Sequence, residues 1–250
     1  MTRYSFKIFC VAFSACFCCA GSLLAEDNNP HTDKMMNEKL NLTQEWDKVF
    51  PKSDKVTHRK VSFRNRYGIM LAADLYMPRN VNGKLPAIAV SGPFGAVKEQ
   101  SAGLYAQTMA ERGFLTIAFD PSYTGESGGF PRYVASPDIN TEDFCAAVDY
   151  LSTRDDVDSE RIGIIGICGW GGMAVNAAAI DTRIKATVTS TMYDMSRVNA
   201  NGYFDAMDAD ARYELRKQLN AQRTADAKSG SYALAGGVPD PLPADAPGFV

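Results

Sequence analysis

Residues 161–172 read RIGIIGICGWGG, and the fold turns on how this stretch is understood. Arg161–Ile167 is an apolar run of strand length, and Gly171–Ile180 is an Ala-rich segment of helical character. Between them lies a glycine-flanked turn carrying one functional side chain, Cys168. A buried strand that turns sharply into a helix lifts one side chain clear of the sheet edge, and small neighbours let the backbone bend. A thiol held there needs a base to form and keep the thiolate, and an acid to orient that base. The chain has two histidines, His31 and His58, and both precede this stretch.

Working outward, the pattern alternates. Val61–Phe63 and Leu71–Met77 predict two antiparallel strands joined by a turn at Asn65–Gly68, and Ala87–Ser91 predicts a short buried strand. Glu99–Arg112 has helical spacing, with Gly113 placed for a C-terminal cap. Phe114–Phe119 predicts the next strand, and Thr141–Leu151 a helix with Glu142 and Asp143 in its first turn. Ile184–Thr191 predicts a final strand. Strands alternating with helices predict an α/β fold, a mostly parallel sheet with helices on both faces. Residues 26–55 form a polar tail with a short amphipathic helix around Leu40, Leu42, Trp46, Val49 and Phe50, and the core spans 56–200. In 201–250, Tyr203, Met207, Ala211, Leu215 and Leu219 mark an exposed amphipathic helix before a Gly- and Pro-rich tail.

Composition excludes several functions. The net charge is −3 over 250 residues, with no Lys/Arg run, so nothing encourages nucleic-acid binding. No HExxH occurs, and the one CxxC, Cys16–Cys19, lies in the apolar stretch near the N-terminus, so no metal site is expected. Residues 1–25 have the layout of a secretory signal peptide: Arg3 and Lys7, an apolar stretch to Leu24, and cleavage after Ala25. Lipoprotein processing at Cys16, Cys18 or Cys19 and an uncleaved anchor are the alternatives. The expected location is secreted or periplasmic, with no stable membrane span after leader removal. Four of the six cysteines lie in that leader, leaving Cys145 and Cys168.

Taken together, three glycine-containing loops carry a resemblance. They are Ser91–Gly95 after the third strand, Phe119–Gly128 after the fourth and the Cys168 turn after the fifth. In order and spacing, Val61–Asp194 resembles the first two-thirds of an α/β-hydrolase, and within that superfamily the secreted bacterial dienelactone-hydrolase-like proteins. The resemblance implies that Cys168 is the nucleophile and that the Gly169 N–H faces a developing oxyanion. Pro93 has no N–H, so Phe94 or Gly95 supplies the second donor. Gly125–Gly129 matches G-x-S-x-G by letter, but Phe130-Pro131 follows it rather than a helix, so Ser127 is not read as a nucleophile. Trp170 departs from the pattern, which wants a small residue two after the nucleophile. It leaves open whether Cys168 or Gly169 holds the apex.

The family places its histidine after the nucleophile, and this chain offers none there. Asp194 is a candidate acid of the rarer placement, with a solvated strand-end carboxylate the preferred reading. His31 and His58 read as surface histidines. The first expectation is therefore a hydrolase of esters, thioesters or lactones whose last strands, with the acid and histidine, are missing from this sequence. The second is a non-catalytic binding protein whose exposed sixth strand invites a homodimer. The third is a peptidase or acyl transferase of the same superfamily. The chemistry implied needs no cofactor.

Overall fold

Six strands form one sheet in the order β1-β2-β4-β3-β5-β6. The computed structural model describes residues 39–235, so the expected leader and the end of the tail lie outside the described residues. In chain order the elements are β1 (Val56–Arg64), β2 (Met70–Pro78), β3 (Leu85–Ser91), α1 (Ser101–Ala110), β4 (Leu115–Phe119), α2 (Pro137–Ser152), β5 (Val157–Ile167), α3 (Gly169–Ile180), β6 (Ile184–Ser190), α4 (Met195–Asn201) and α5 (Ala209–Ser229). β1 and β2 pair antiparallel, as do β2 and β4, whereas β4, β3, β5 and β6 run parallel. The expected α/β architecture, with helices on both faces, is what forms.

Connection handedness decides which face each helix takes. The step from β3 to β4 moves one way along the sheet, while β4 to β5 and β5 to β6 move the other way. Right-handed crossovers then put α1 on one face and α2 with α3 on the opposite face. The core divides accordingly. Ala102, Ala106 and Ala110 of α1 pack with Ile88, Val90, Ala118 and Ile165. Phe144, Val148 and Leu151 of α2, with Met173 and Ala177 of α3, pack with Ala87, Ala89, Ile117 and Ile164. Neighbouring residues of one strand serve different faces, as the two-residue period of a pleated strand requires.

The reversal of direction occurs between β3 and β5. Ligands in such sheets bind outside the carboxyl ends of the strands at that crevice, and there the loop after β3 meets the turn after β5. β5 and β6 end in register, Ile167 opposite Ser190, so the chain after β6 lies at the same rim.

Several boundaries differ from the sequence expectation. Residues 39–55 hold no helix; Trp46 and Phe50 instead fold back as an irregular strap, the indole Nε1 donating to the Phe50 carbonyl at 2.9 Å. The α2 helix starts at Pro137, a turn before Thr141, because Ser136 caps it and proline is well placed at the first helical position. The α4 helix was not foreseen. Tyr203 and Met207 lie outside α5, which starts at Ala209 where Asp208 accepts the Ala211 N–H at 2.8 Å. No residue of α5 is buried. No helix among the described residues is long and apolar enough to cross a membrane.

Candidate active site

The turn after β5 is built around a backbone conformation that few residues adopt. Cys168 has φ 57° and ψ −127°, a left-handed value that costs free energy in any residue with a Cβ. The conformation is locked from both sides. The Cys168 N–H donates to the Ser190 carbonyl at 2.8 Å, and its carbonyl accepts from the Gly171 N–H at 2.9 Å. Cys168 therefore holds the apex, and α3 begins at the next residue. Its side chain is half-buried at the rim.

Trp170 fits this turn because other positions are glycine. A Cβ at Gly166 would stand 2.3 Å from the Trp170 carbonyl oxygen, and one at Gly92 would stand 2.3 Å from the Ile167 oxygen and 2.8 Å from Trp170 Cβ. The small residues the turn needs thus sit on β5 and on the loop after β3. The indole, 3% exposed, packs edge-on against Phe94 with ring centroids 4.4 Å apart. Local sequence could not show that Gly92, 78 positions away, makes room for Trp170.

The candidate oxyanion donors gather here. Neither the Gly169 N–H nor those of Phe94 and Gly95 donate to any protein acceptor among the described residues. Gly95, at φ 73°, faces open space. The Phe94 ring covers Gly169 so closely that a Cβ there would stand 2.0 Å from its edge. Beside it opens a cavity of about 430 Å³ bordered by Phe94, Gly169, Met173, Met192, Asp194 and Met195. Asp194 is exposed, and its carboxylate accepts the Arg197 N–H at 2.9 Å as the cap of α4. It borders the cavity, but no imidazole stands beside it among the described residues.

His58 requires a correction. Its side chain is 3% exposed rather than on the surface, with Nε2 2.8 Å from the Asp74 carboxylate, which also binds Lys48 Nζ at 2.9 Å. Trp46 and Tyr76 enclose the ring at centroid distances of 5.1 and 5.0 Å. The strap around Trp46 buries it, a tertiary contact that the lone His in a polar segment did not reveal. β1 is still the outer strand, separated from β5 by β2, β4 and β3, so His58 is no base for Cys168.

The G-x-S-x-G look-alike has a structural role. Ser127 is 2% exposed; its Oγ donates to the Asp120 carbonyl at 2.7 Å and accepts from the Ala72 N–H at 2.8 Å. The Asp120 carboxylate accepts from the Lys98 and Glu126 N–H groups and from Lys98 Nζ, at 2.7, 2.9 and 2.9 Å. Burial disfavours the Lys98 charge, yet Asp120, Glu126 and Glu99 more than offset it and hold the ammonium above its ordinary range. A second hub, Asp143, accepts from Asn65, Ser122 and Asn140 and fixes the start of the loop after β4.

The Pseudomonas aeruginosa protein PA2218 is 68% identical over 198 residues, covering 79% of this chain and 53% of its own length. Its crystal structure matches with a TM-score of 0.77 at 65% identity, covering 82% of this chain and 66% of that one. The thiohydrolase aneE of Aspergillus aculeatus is 32% identical over 137 residues, covering 55% of this chain and 42% of its own length. The α/β hydrolase GrgF of a Penicillium species shares the fold at a TM-score of 0.60 and 22% identity, covering 71% of this chain and 57% of that one. The chain thus spans about half the length of the curated relatives it matches. Residues 67–235 match the family described as X-Pro dipeptidyl-peptidase (S15 family). The chain belongs to the S15 family, within the α/β-hydrolase superfamily.

Proposed function

We propose that this chain carries the nucleophile and oxyanion half of an acyl-transferring hydrolase acting on thioesters or activated esters, with Cys168 as the attacking group. The observation that carries this reading is the strained Cys168 apex beside backbone N–H groups that have no protein acceptor among the described residues. The Cys168 thiolate bonds to the substrate carbonyl carbon, and the carbonyl oxygen becomes an oxyanion facing the Gly169 N–H and that of Phe94 or Gly95. Collapse breaks the bond to the leaving group, which departs with its electron pair, and leaves the acyl group on sulfur. The second half, attack of water on that acyl-thioester, needs a general base.

The leaving group discriminates between substrates. An amine must be protonated as it departs, whereas a thiolate or phenolate leaves as the anion. No acid or imidazole is bonded to the Cys168 thiol among the described residues, which favours thioesters and activated esters over peptides despite the family's peptidase description. Similarity to a thiohydrolase supports the same choice. A lactone, suggested by the dienelactone-hydrolase likeness, fits less well because its alkoxide is a poor anion. Deacylation needs a general base, and no imidazole is bonded to Cys168 among the described residues. Secretion to the periplasm, read from residues 1–25, belongs to the same proposal.

The test is a single-turnover measurement on the 250-residue protein with p-nitrophenyl acetate. One equivalent of nitrophenolate is expected, followed by a stall, with the acetyl group located on Cys168 by peptide mass spectrometry. Steady turnover without acetyl-Cys168, or a burst that persists in Cys168→Ala, contradicts the reading.

The non-catalytic alternative has one observation in its favour. β6 pairs only with β5 among the described residues, Val188 is 52% exposed, and an apolar groove of about 510 Å³ lies along Ile88, Met109, Phe114, Ile165 and Val188. Such an edge suits a homodimer through β6 or a covering strand from elsewhere. A sedimentation experiment finding only monomer removes the homodimer.

A further inference from the structure

We propose that the cavity on the Phe94–Trp170 side of the turn binds a carboxylate carried by the substrate's leaving group. The inference rests on the acyl-transfer reading of Cys168 and narrows its substrates to thioesters or esters of mercapto- or hydroxy-acids. The cavity, about 350 Å³, is bordered by Phe94, Gly95, Thr124, Arg132, Tyr133 and Trp170. One wall is the loop that offers the second oxyanion donor, and another is the residue two after Cys168. Phe94 borders this cavity and the methionine-lined one, so its ring stands between two compartments.

The compartments differ in chemistry. Met173, Met192 and Met195 line the first, and flexible thioethers adapt to an aliphatic acyl chain. The second contains a cation without an anion. Arg132 donates through Nη1 to the Ser127 carbonyl and through Nη2 to the Gly125 carbonyl at 2.6 Å, and it meets no carboxylate among the described residues. The half-buried Arg154 and Arg183, by contrast, each pair with an aspartate at 2.6 Å. A guanidinium has five N–H donors, and the two backbone bonds fix its position while leaving others unused. The Trp170 indole forms an apolar wall of this cavity: it is 3% exposed, and its Nε1 is enclosed within the protein. A guanidinium with spare donors and no carboxylate among the described residues, set in a cavity, suits an anionic oxygen. When Cys168 attacks such a thioester, the leaving thiolate departs as a dianion with its carboxylate, and the Arg132 charge stabilises it.

Two alkylating reagents test this on the protein as it exists. Iodoacetate and iodoacetamide present the same carbon to Cys168, forming the C–S bond as iodide leaves; one carries a carboxylate and the other an amide. Rates are read by peptide mass spectrometry, with free cysteine giving the intrinsic ratio and buried Cys145 as internal control. The iodoacetate-to-iodoacetamide ratio at Cys168 is expected to exceed that of free cysteine by about tenfold, the size of one charge-assisted hydrogen bond. Arg132→Gln abolishes the excess, and Arg132→Lys keeps part of it. Propionate slows labelling of the wild type and propionamide does not, a readout that stands even where a variant fails to fold. A ratio equal to that of free cysteine, or one unmoved by Arg132→Gln, overturns the subsite and leaves the nucleophile standing. If neither reagent labels Cys168, both proposals fall.

Discussion

The two halves of the sheet are finished to different degrees. Around β1, β2 and β4, charged groups are buried and paired: Lys60 contacts Asp47 and Glu126, Lys98 contacts Asp120, Glu99 and Glu126, and Lys48 contacts Asp74. Around β5 and β6 the described structure is open. A thiol sits on a strained apex, three N–H groups have no protein acceptor, and Val188 faces solvent. The first half is closed by paired charges, and the second ends in an open rim that carries the Cys168 apex. A strained apex persists only where its surroundings over-determine it, so the paired half is what lets the open half hold its geometry.

The largest expected effect breaks the rim alone. Cys168→Ala abolishes acyl-enzyme formation, seen as loss of the nitrophenolate burst, while the urea midpoint stays near that of the wild type. A sizeable shift of that midpoint would show that the rim also supports the fold.

Next, Lys98→Met breaks the paired half. It leaves Asp120 buried and uncompensated, a change of about 3–5 kcal/mol read from urea unfolding. The acylation burst should fall in parallel, because the loop from Gly92 to Lys98 positions Phe94 and Gly95. An unchanged burst in folded Lys98→Met would separate the two halves.

Gly92→Ala joins them. The residue sits at φ 103°, and the new Cβ meets the Ile167 oxygen and Trp170, so about 2–4 kcal/mol is expected to be lost together with the Cys168 geometry. The check is the same pair of measurements.

The smallest effect concerns acid. Burial raises the Asp47 carboxyl, but Lys48 and Lys60 outweigh it and hold the group at about 2. A depressed carboxylate contributes stability above its unfolded value near ~3.9 and loses it as pH falls through the folded value. Asp47→Asn should therefore melt below the wild type at pH 5, with the gap closing between about pH 4 and pH 2. Since the Asp47 side chain is 32% exposed, the contribution is below about 1 kcal/mol. His58→Gln, at the far edge, should leave the Cys168 acylation rate unchanged.

Much of this architecture was legible because it depends on local pattern. The apolar run 161–167, the glycines of the turn and the Ala-rich segment after it predicted a strand, a bend and a helix, the strand starting earlier at Val157 and the helix at Gly169. Ser127, passed over because no helix follows Gly125–Gly129, is buried and bonded to the Asp120 and Ala72 backbone. The strap, the buried His58 and the Gly92–Trp170 fit were not legible, because each joins residues remote in sequence.

Periodicity and turn chemistry in the chain itself determined an α/β sheet with helices on both faces and a cysteine placed at a strand-to-helix bend. Both signals are local, written within a dozen residues. Only the folded molecule decided that Cys168 rather than Gly169 takes the left-handed apex, and that Arg132 lines a cavity without meeting a carboxylate among the described residues. Those facts depend on which distant groups come within a hydrogen bond's reach of one another, and no pattern along the chain encodes that distance.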